Sequence, residues 1–304
     1  MEKDNEIKRK EMIAHEAFIR RAVEINMPFM LKGSYVTRQY FDKITDRIPN
    51  DLDFVYLHFL NNEQLTEKEF TEWATRITEL DINDNVKFNS FQENLFWRCI
   101  DYAMSDDFPT VNTDLIAIVG GDEIDISLDI SFNLDLNQEP IPLLYLPLEG
   151  EPFIIPNTPP LALQVAWKLH QCLVRPRFKD MFDLIYLLNH KDFMASSHNV
   201  YHVLQTLVNE CERDNVDVQK LAFLISGDIA PLYTHIEYGK KITLEKEWKQ
   251  WRFESGWGDG LSDISTSHTI PEDVFGFTFM LKNAFQQSGF ILETLKKLPK
   301  PKNS

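Results

Sequence analysis

No run of eighteen or more apolar residues occurs in this 304-residue sequence, so no transmembrane helix is expected. An apolar leader is also lacking: Met1 to Lys10 is mostly charged and does not read as a secretory signal. Cysteine is scarce. Cys99, Cys172 and Cys211 stand far apart with no C-x-x-C pair, and read as buried, reduced thiols of a cytoplasmic protein. Basic charge is in the minority, with 31 Lys and Arg against 47 Asp and Glu and a formal net charge of −16. That balance opposes general nucleic-acid binding, which relies on cations neutralising phosphates, and no DNA partner is expected. It leaves room for a local basic patch from Lys8, Arg9, Lys10, Arg20, Arg21, Arg175, Arg177, Lys179 and the tail lysines. It also favours a need for divalent cations at any nucleotide site. There is no internal repeat and no H-E-x-x-H. His198 and His202 lack the glutamate of that zinc motif and are assigned surface or cap roles at a helix start.

What is present begins with Leu31-Lys32-Gly33-Ser34, then sixteen residues, then Asp51-Leu52-Asp53-Phe54. A glycine lets backbone approach a triphosphate closely. Ser34 offers a hydroxyl at a helix start, where free N–H groups favour anions. Asp51 and Asp53, two apart on an expected strand from Asp51 to Leu57, would share a face. Convergent carboxylates suit Mg²⁺, a hard ion held by one or two carboxylates plus substrate phosphates.

The surrounding pattern predicts an α/β domain over 1–155 and a helical domain over 156–304, a size suited to one large or two ordinary domains. A helix is expected over 5–26, a short strand at Phe29-Met30-Leu31, helix over 34–46, and a turn at Ile48-Pro49-Asn50. Residues 66–80 read as a helix with a Thr66/Glu69 capping box and a Leu65/Phe70 staple. Loosely alternating Val86 to Arg98 reads as β structure, Leu115 to Val119 as a compact strand, and Gly120-Gly121-Asp122-Glu123 as a hairpin turn. On the returning strand Ile124, Ile126, Leu128 and Ile130 face one way, and Asp125, Ser127, Asp129 and Ser131 the other. Either Asp125 or Asp129 could add a third carboxylate. The proline-rich segment 139–160 reads as an extended linker, and helices are expected over 159–174, 179–189, 197–213, 215–226 and 271–296. Arg252 to Ser267 reads as a loop and Lys296 to Ser304 as a basic tail.

Thr158-Pro159 reads as an N-cap and first helical residue. On the helix that follows, Gln164, Lys168, Gln171 and Arg175 fall on one polar stripe. A point charge, amides and a forked charge suit a triphosphate, and equally a solvated helix face. Asp180 and Asp183 are helical neighbours; Asp180 can pair with Arg177, or orient Lys168, or do both.

Taken together, Leu31-Lys32-Gly33-Ser34, Arg47-Ile48-Pro49-Asn50-Asp51-Leu52-Asp53-Phe54, Leu128-Asp129-Ile130-Ser131-Phe132, Lys168-Leu169-His170 and Lys179-Asp180-Met181-Phe182-Asp183-Leu184 resemble the AbiEii/AbiGii nucleotidyltransferase family, the toxin side of type IV toxin–antitoxin systems. Order and spacing hold over about 29–190, and the last third matches only as helical. The resemblance implies an α+β architecture: a polymerase-β-like nucleotidyltransferase domain, a mixed sheet flanked by helices, followed by a helical domain that contributes Lys168 and Asp180. It implies that Gly33 and Ser34 hold phosphate and that Asp51, Asp53 and Asp129 bind Mg²⁺ or Mn²⁺, with Asp125 as a substitute for Asp129. Lys168 would contact the nucleotide and Asp180 would support it; Arg175 is a further nucleotide-binding candidate from the polar stripe alone. The implied activity moves an NMP from an NTP to a hydroxyl, on an RNA or tRNA end or a protein side chain, with a cognate antitoxin as partner. Lys179 stands where arginine is usual in that family. A catalytically silent nucleotide-binding or interaction module on the same fold is the alternative.

Overall fold

Ten strands and eleven α-helices account for most of the computed structural model, which describes residues 2–100, 109–233, 236–237, 240–241, 243–254, 270–295 and 298. The chain divides into two units, Met1–Gln39 with Lys43–Pro159, and Tyr40–Asp42 with Pro160–Ser304. Together they make the mixed α+β architecture that the sequence predicts.

The first unit holds α1 (Glu2–Ile25), β1 (Phe29–Lys32), α2 (Ser34–Thr37), β2 (Leu52–Tyr56), α3 (Glu63–Glu79), β3 (Val86–Phe88), β4 (Arg98–Ile100), β5 (Thr110–Val119), β6 (Asp122–Ser131), β7 (Ile141–Tyr145) and β8 (Phe153–Thr158). Its main sheet runs β1-β2-β6-β5-β3, and β4 also pairs with β5. The β2–β6 pair is parallel and its neighbours are antiparallel. Strict alternation along β6 buries Ile124, Ile126, Leu128 and Ile130. Phe54 of β2 lies on the same apolar face, where Phe18 of α1 and Trp73 of α3 meet it edge-on at 6.0 and 5.0 Å. Phe29 stacks on Trp73 at 3.8 Å. The two helices thus cover one side of the sheet, and its other side carries Asp53, Asp129 and the polar row described below.

A second set of contacts from α1 is polar and buried. The Glu16 carboxylate accepts from Arg38 Nη1 and the Tyr145 hydroxyl, both at 3.0 Å, and from the Leu148 N–H at 2.7 Å. Nδ1 of His15 lies 2.6 Å from the Tyr35 hydroxyl. Arg21 forks onto Asp84 at 2.6 and 2.8 Å. These inward ties explain why 34–46 is not one helix. After α2 the chain tightens to a 3₁₀ turn at Arg38–Tyr40 and another at Ile44–Asp46, because Arg38 is drawn inside to Glu16 and the Ile44 carbonyl.

Other expectations shift for local reasons. The helix expected from Thr66 starts at Glu63: Asn62 is the N-cap, its Oδ1 accepting from the Leu65 N–H at 3.1 Å. Thr66 instead donates to the Asn62 carbonyl, and Leu65 is exposed and staples nothing. Strand β5 is twice the expected length. The proline-rich 139–160 folds as the β7–β8 hairpin, with a register shift between Ile141 and Leu143 that accommodates Pro142. Thr158 ends β8, donating to the Ile141 carbonyl at 2.9 Å, and the following helix is capped by Pro160, since a residue before proline is held extended. Cys99 is exposed on β4, whereas Cys172 and Cys211 are buried as expected.

The second unit is built from α4 (Leu161–Val174), α5 (Phe178–Asn189), α6 (Lys191–Met194), α7 (His198–Arg213), α8 (Leu221–Ser226), a small β9–β10 hairpin (Ile236–Glu237, Lys240–Lys241), α9 (Leu244–Glu254), α10 (Val274–Gln287) and α11 (Leu292–Leu295). Leu169, Leu173, Met181, Leu184, Val203, Leu207, Leu281 and Phe285 form its core. Of the stretch expected as a helix over 215–226, only Leu221–Ser226 is α-helical, preceded by a 3₁₀ turn capped by Asp217 and ended by left-handed Gly227. The helix expected over 271–296 starts at Val274, capped by Asp273, and breaks after Gln287. Of the expected Arg252–Ser267 loop, α9 takes residues to Glu254 and the rest lies outside the described residues, as does the 296–304 tail apart from Leu298.

Burial pushes His15 down to about 4, against a smaller opposing pull from Asp51. The unfolded chain therefore binds this proton more readily, and the stability tied to neutral His15 is present above about pH 6.5 and lost as pH falls towards 4. The full loss is of order 3 kcal/mol. Urea unfolding of wild type and His15→Gln at pH 7.0 and 4.5 should show a shallower fall for the variant; equal falls would count against a buried neutral His15.

Candidate active site

The candidate carboxylates sit on adjacent strands of the first unit. Antiparallel pairing puts Lys32, at the end of β1, opposite Asp53 of β2. Parallel pairing puts Asp53 beside Asp129 of β6. Register partners point to the same face, and neighbouring strands are about 4.8 Å apart, so these carboxylates are held side by side. Asp129 is buried, and its Oδ1 accepts from Asn112 Nδ2 at 2.5 Å.

Gly33 follows Lys32 at φ 72°, ψ −151°, a conformation that residues with a side chain avoid. A Cβ there would stand 2.2 Å from Asp53 Oδ2. The backbone thus turns directly against the carboxylate, which only glycine permits. The next residue, Ser34, is buried, and its Oγ has no hydrogen-bond partner among the described residues. The helix it opens is only four residues long, so its dipole is slight and the hydroxyl and backbone N–H groups carry any affinity for anions.

Asp51 lies one residue before β2, not on it as its alternation with Asp53 suggests. Its charge is felt by the buried His15–Tyr35 pair. Asp125 is exposed, opposite Ile116 of β5, beyond the stretch of β6 that β2 accompanies. Of Glu123, Asp125 and Asp129 on that face of β6, Asp129 alone stands beside Asp53.

Among the described residues no group of three or more His, Cys, Asp or Glu is placed to hold a metal ion. The donors fit Mg²⁺ in a more limited sense. Asp53 and Asp129 would offer a pair of hard oxygen donors, as many as a magnesium site commonly takes from protein when substrate phosphates supply the rest. The orphaned Ser34 hydroxyl follows the glycine that touches Asp53.

In the second unit Lys168 of α4 is gripped by two carboxylates of α5. Its Nζ lies 2.8 Å from Asp180 Oδ1 and 2.9 Å from Asp183 Oδ2. Arg177 Nε donates to Asp180 Oδ2 at 2.5 Å and its Nη2 to Gln171 Oε1 at 3.4 Å. Asp180 is fully buried. Burial pushes its carboxyl up, but Lys168 and Arg177 outweigh that and hold it well below the usual carboxylate range. Asp180 thus pairs with Arg177 and orients Lys168 at once. Asp183 is the partner that sequence reasoning left without a role. Gln164 is buried rather than on a solvated stripe, and Arg175 caps the exposed end of α4. His198 and His202 are both exposed, and the His198 N–H donates to Ser196 Oγ at 3.2 Å. Several residues of the expected basic patch are committed elsewhere: Arg9 to Glu149, Lys10 to Glu6 and Asp122, and Arg21, buried, to Asp84.

Two outcomes follow. Gly33→Ala should cost about 1–3 kcal/mol from backbone conformation alone and more from the clash with Asp53, read as a lower urea midpoint. Asp180→Ala leaves Lys168 and Arg177 short of a buried partner and should destabilise the protein by roughly 3–5 kcal/mol; a melting temperature within a degree of wild type would contradict that.

A family model described as "Nucleotidyl transferase AbiEii toxin, Type IV TA system" matches residues 18–254. No curated protein matches the chain. Among solved structures it is similar to JHP933 from Helicobacter pylori, at 16% identity and a TM-score of 0.47, covering 93% of this chain and 94% of that one. It is similar to a nucleotidyltransferase structure from H. pylori at 15% identity and a TM-score of 0.47, over 95% and 98% of the two chains. For MenT4, a nucleotidyltransferase toxin from Mycobacterium tuberculosis, the values are 12%, 0.48, 94% and 86%. The family match spans well over half of the sequence, and the chain belongs to the AbiEii nucleotidyl transferase toxin family of type IV toxin–antitoxin systems.

Proposed function

We propose that the protein transfers a nucleotidyl group from an NTP to a hydroxyl acceptor, on an RNA or tRNA end or a protein side chain, and that it acts as the toxin partner of a cognate antitoxin. The observation that carries this reading is the in-register placement of Asp53 and Asp129 on parallel strands, with Gly33 packed against Asp53 and the Ser34 hydroxyl unpaired beside that glycine in sequence.

In the reaction the acceptor oxygen bonds to the α-phosphorus, the α–β bridging P–O bond breaks, and pyrophosphate leaves with its electron pair. Gly33 and Ser34 would receive phosphate oxygens through N–H and hydroxyl donors, with the glycine allowing close approach. Asp53 and Asp129, with Asp51 just before the strand, would hold Mg²⁺ or Mn²⁺. When bound, such ions neutralise phosphate charge and acidify an attacking hydroxyl. Asp129, held by Asn112, is the group proposed to take the acceptor's proton or to keep the cation near it. On the family resemblance Lys168 is proposed as a nucleotide contact, with Asp180 fixing its ammonium, and on the polar stripe of α4 Arg175 is proposed as another.

Incubation with each α-³²P-NTP and Mg²⁺, with total RNA and total protein as acceptors, tests the reading. Label that Asp53→Ala lowers by at least a hundredfold, while leaving the fold intact, is expected. Label in RNA or in protein names the acceptor class. No label from any NTP in either pool would favour a silent nucleotide-binding module.

A further inference from the structure

The cross-strand registers line up one residue from each of five strands: Lys32 opposite Asp53, Asp53 beside Asp129, Asp129 opposite Asn112, and Asn112 opposite Arg98. Register partners share a face, so the row is one polar rung running across the sheet. The carboxylates are in the middle and a cation stands at each end.

We propose that Asn112 and Arg98 are positioning residues that aim the Asp129 carboxylate for cation binding, an inference that rests on the site reading above. Asn112 is buried and its amide is fully used. Nδ2 donates to Asp129 Oδ1 at 2.5 Å, to Ser127 Oγ at 2.9 Å and to the Leu128 carbonyl at 3.3 Å. Its Oδ1 accepts from Arg98 Nη2. A guanidinium has only donors and an ionised carboxylate only acceptors. Arg98 therefore fixes which end of the amide is oxygen, and so which end meets Asp129. A flipped amide would set NH₂ against guanidinium and oxygen against carboxylate. Arg98 is in turn steadied by Asp114 at 2.6 Å, outside the rung. The chain Arg98–Asn112–Asp129 runs from the sheet edge to a buried carboxylate, and the Asp114 pair lies outside it in solvent. Groups of this kind behind a metal ligand commonly affect metal affinity 10–100-fold.

The test is Mn²⁺ binding to the full chain with no nucleotide, read from the EPR signal of free aqueous Mn²⁺. Asn112→Leu, matched in volume, is expected to weaken Mn²⁺ binding about 10–100-fold. Arg98→Ala should weaken it severalfold, Arg98→Lys should restore it to within about twofold, and Asp114→Asn, which removes only the outer ion pair, should leave it unchanged. Melting curves monitor folding, and Arg98, half exposed at the edge, keeps the test valid if Asn112→Leu unfolds. Mn²⁺ bound by wild type, lost in Asp129→Ala, yet undiminished in Arg98→Ala and in a folded Asn112→Leu overturns the positioning role and leaves the site standing. A wild type that binds no Mn²⁺ alone, and none beyond that held by the nucleotide itself when a non-transferable NTP analogue is added, overturns both. In labelled transfer, weakened cation binding also predicts that raising Mn²⁺ restores the kcat of Arg98→Ala towards wild type, which a loss of folded protein would not allow.

Discussion

Everything at the candidate site depends on β2 and β6 pairing in parallel with Asp53 and Asp129 at one level. Two carboxylates held on neighbouring strands repel, and each is an acceptor only. The rung manages this from its outer sides. Lys32 lies opposite Asp53 and Asn112 donates to Asp129. Held side by side, the two carboxylates favour a cation electrostatically. The same spacing carries a constraint on the backbone, since Asp53 Oδ2 occupies the volume in which any Cβ at position 33 would stand.

Helix α1 connects this rung to the rest of its unit. Phe18 packs between Phe54 and Trp73, fixing β2 from the apolar side. His15 and Glu16 hold Tyr35 and Arg38, which follow the Gly33-Ser34 turn, and Arg21 holds Asp84 and the carbonyls of Leu80 and Val86. Buried ion pairs of this kind contribute little net stability compared with apolar packing, because desolvation offsets their attraction. Their effect is directional. Arg38 drawn inward to Glu16 cannot continue a surface helix, and so α2 stops after one turn and the Gly33-Ser34 segment stays short. The cost of drawing charge inside is offset by a fixed position for the phosphate-side turn.

Much of this was legible in the sequence, and the failures have physical reasons. Alternation along Ile124–Ser131 identified both the strand and its polar face. A two-residue turn at Gly120-Gly121, both at positive φ, sets Val119 opposite Asp122. Counting back from that turn puts Asn112 opposite Asp129, so the rung's fourth member was available from a register that the sequence already contained. The parallel neighbour was not, because nothing local to β6 says that Asp53 rather than another residue comes alongside. Asn62 and Thr66 are both plausible caps on composition, and the choice turned on which side chain reached a free N–H. The proline-rich hairpin was hidden because prolines are tolerated where a strand lacks a ladder partner. Cys99 was misjudged as buried because a three-residue edge strand leaves alternate side chains in solvent.

The acidity of the chain bears on how an anionic substrate could be accommodated. Four of the cations that composition offers as a basic patch are paired with carboxylates, Arg9, Lys10, Arg21 and Arg177, and outside that patch Arg38 and Lys168 are paired as well. The Lys168 group is balanced, two cations against two carboxylates, so it presents oriented donors more than net charge. On the function proposed above, phosphate charge beside Asp53 and Asp129 would be met by neutral donors such as the Ser34 hydroxyl, by Lys32 at the end of the rung, and by cations brought from solution. On that reading a net charge of −16 and a need for divalent ions would be one property. The row of acceptors would then set where the external positive charge goes, so that the placement of each acceptor, more than any fixed cation, would govern what the site binds.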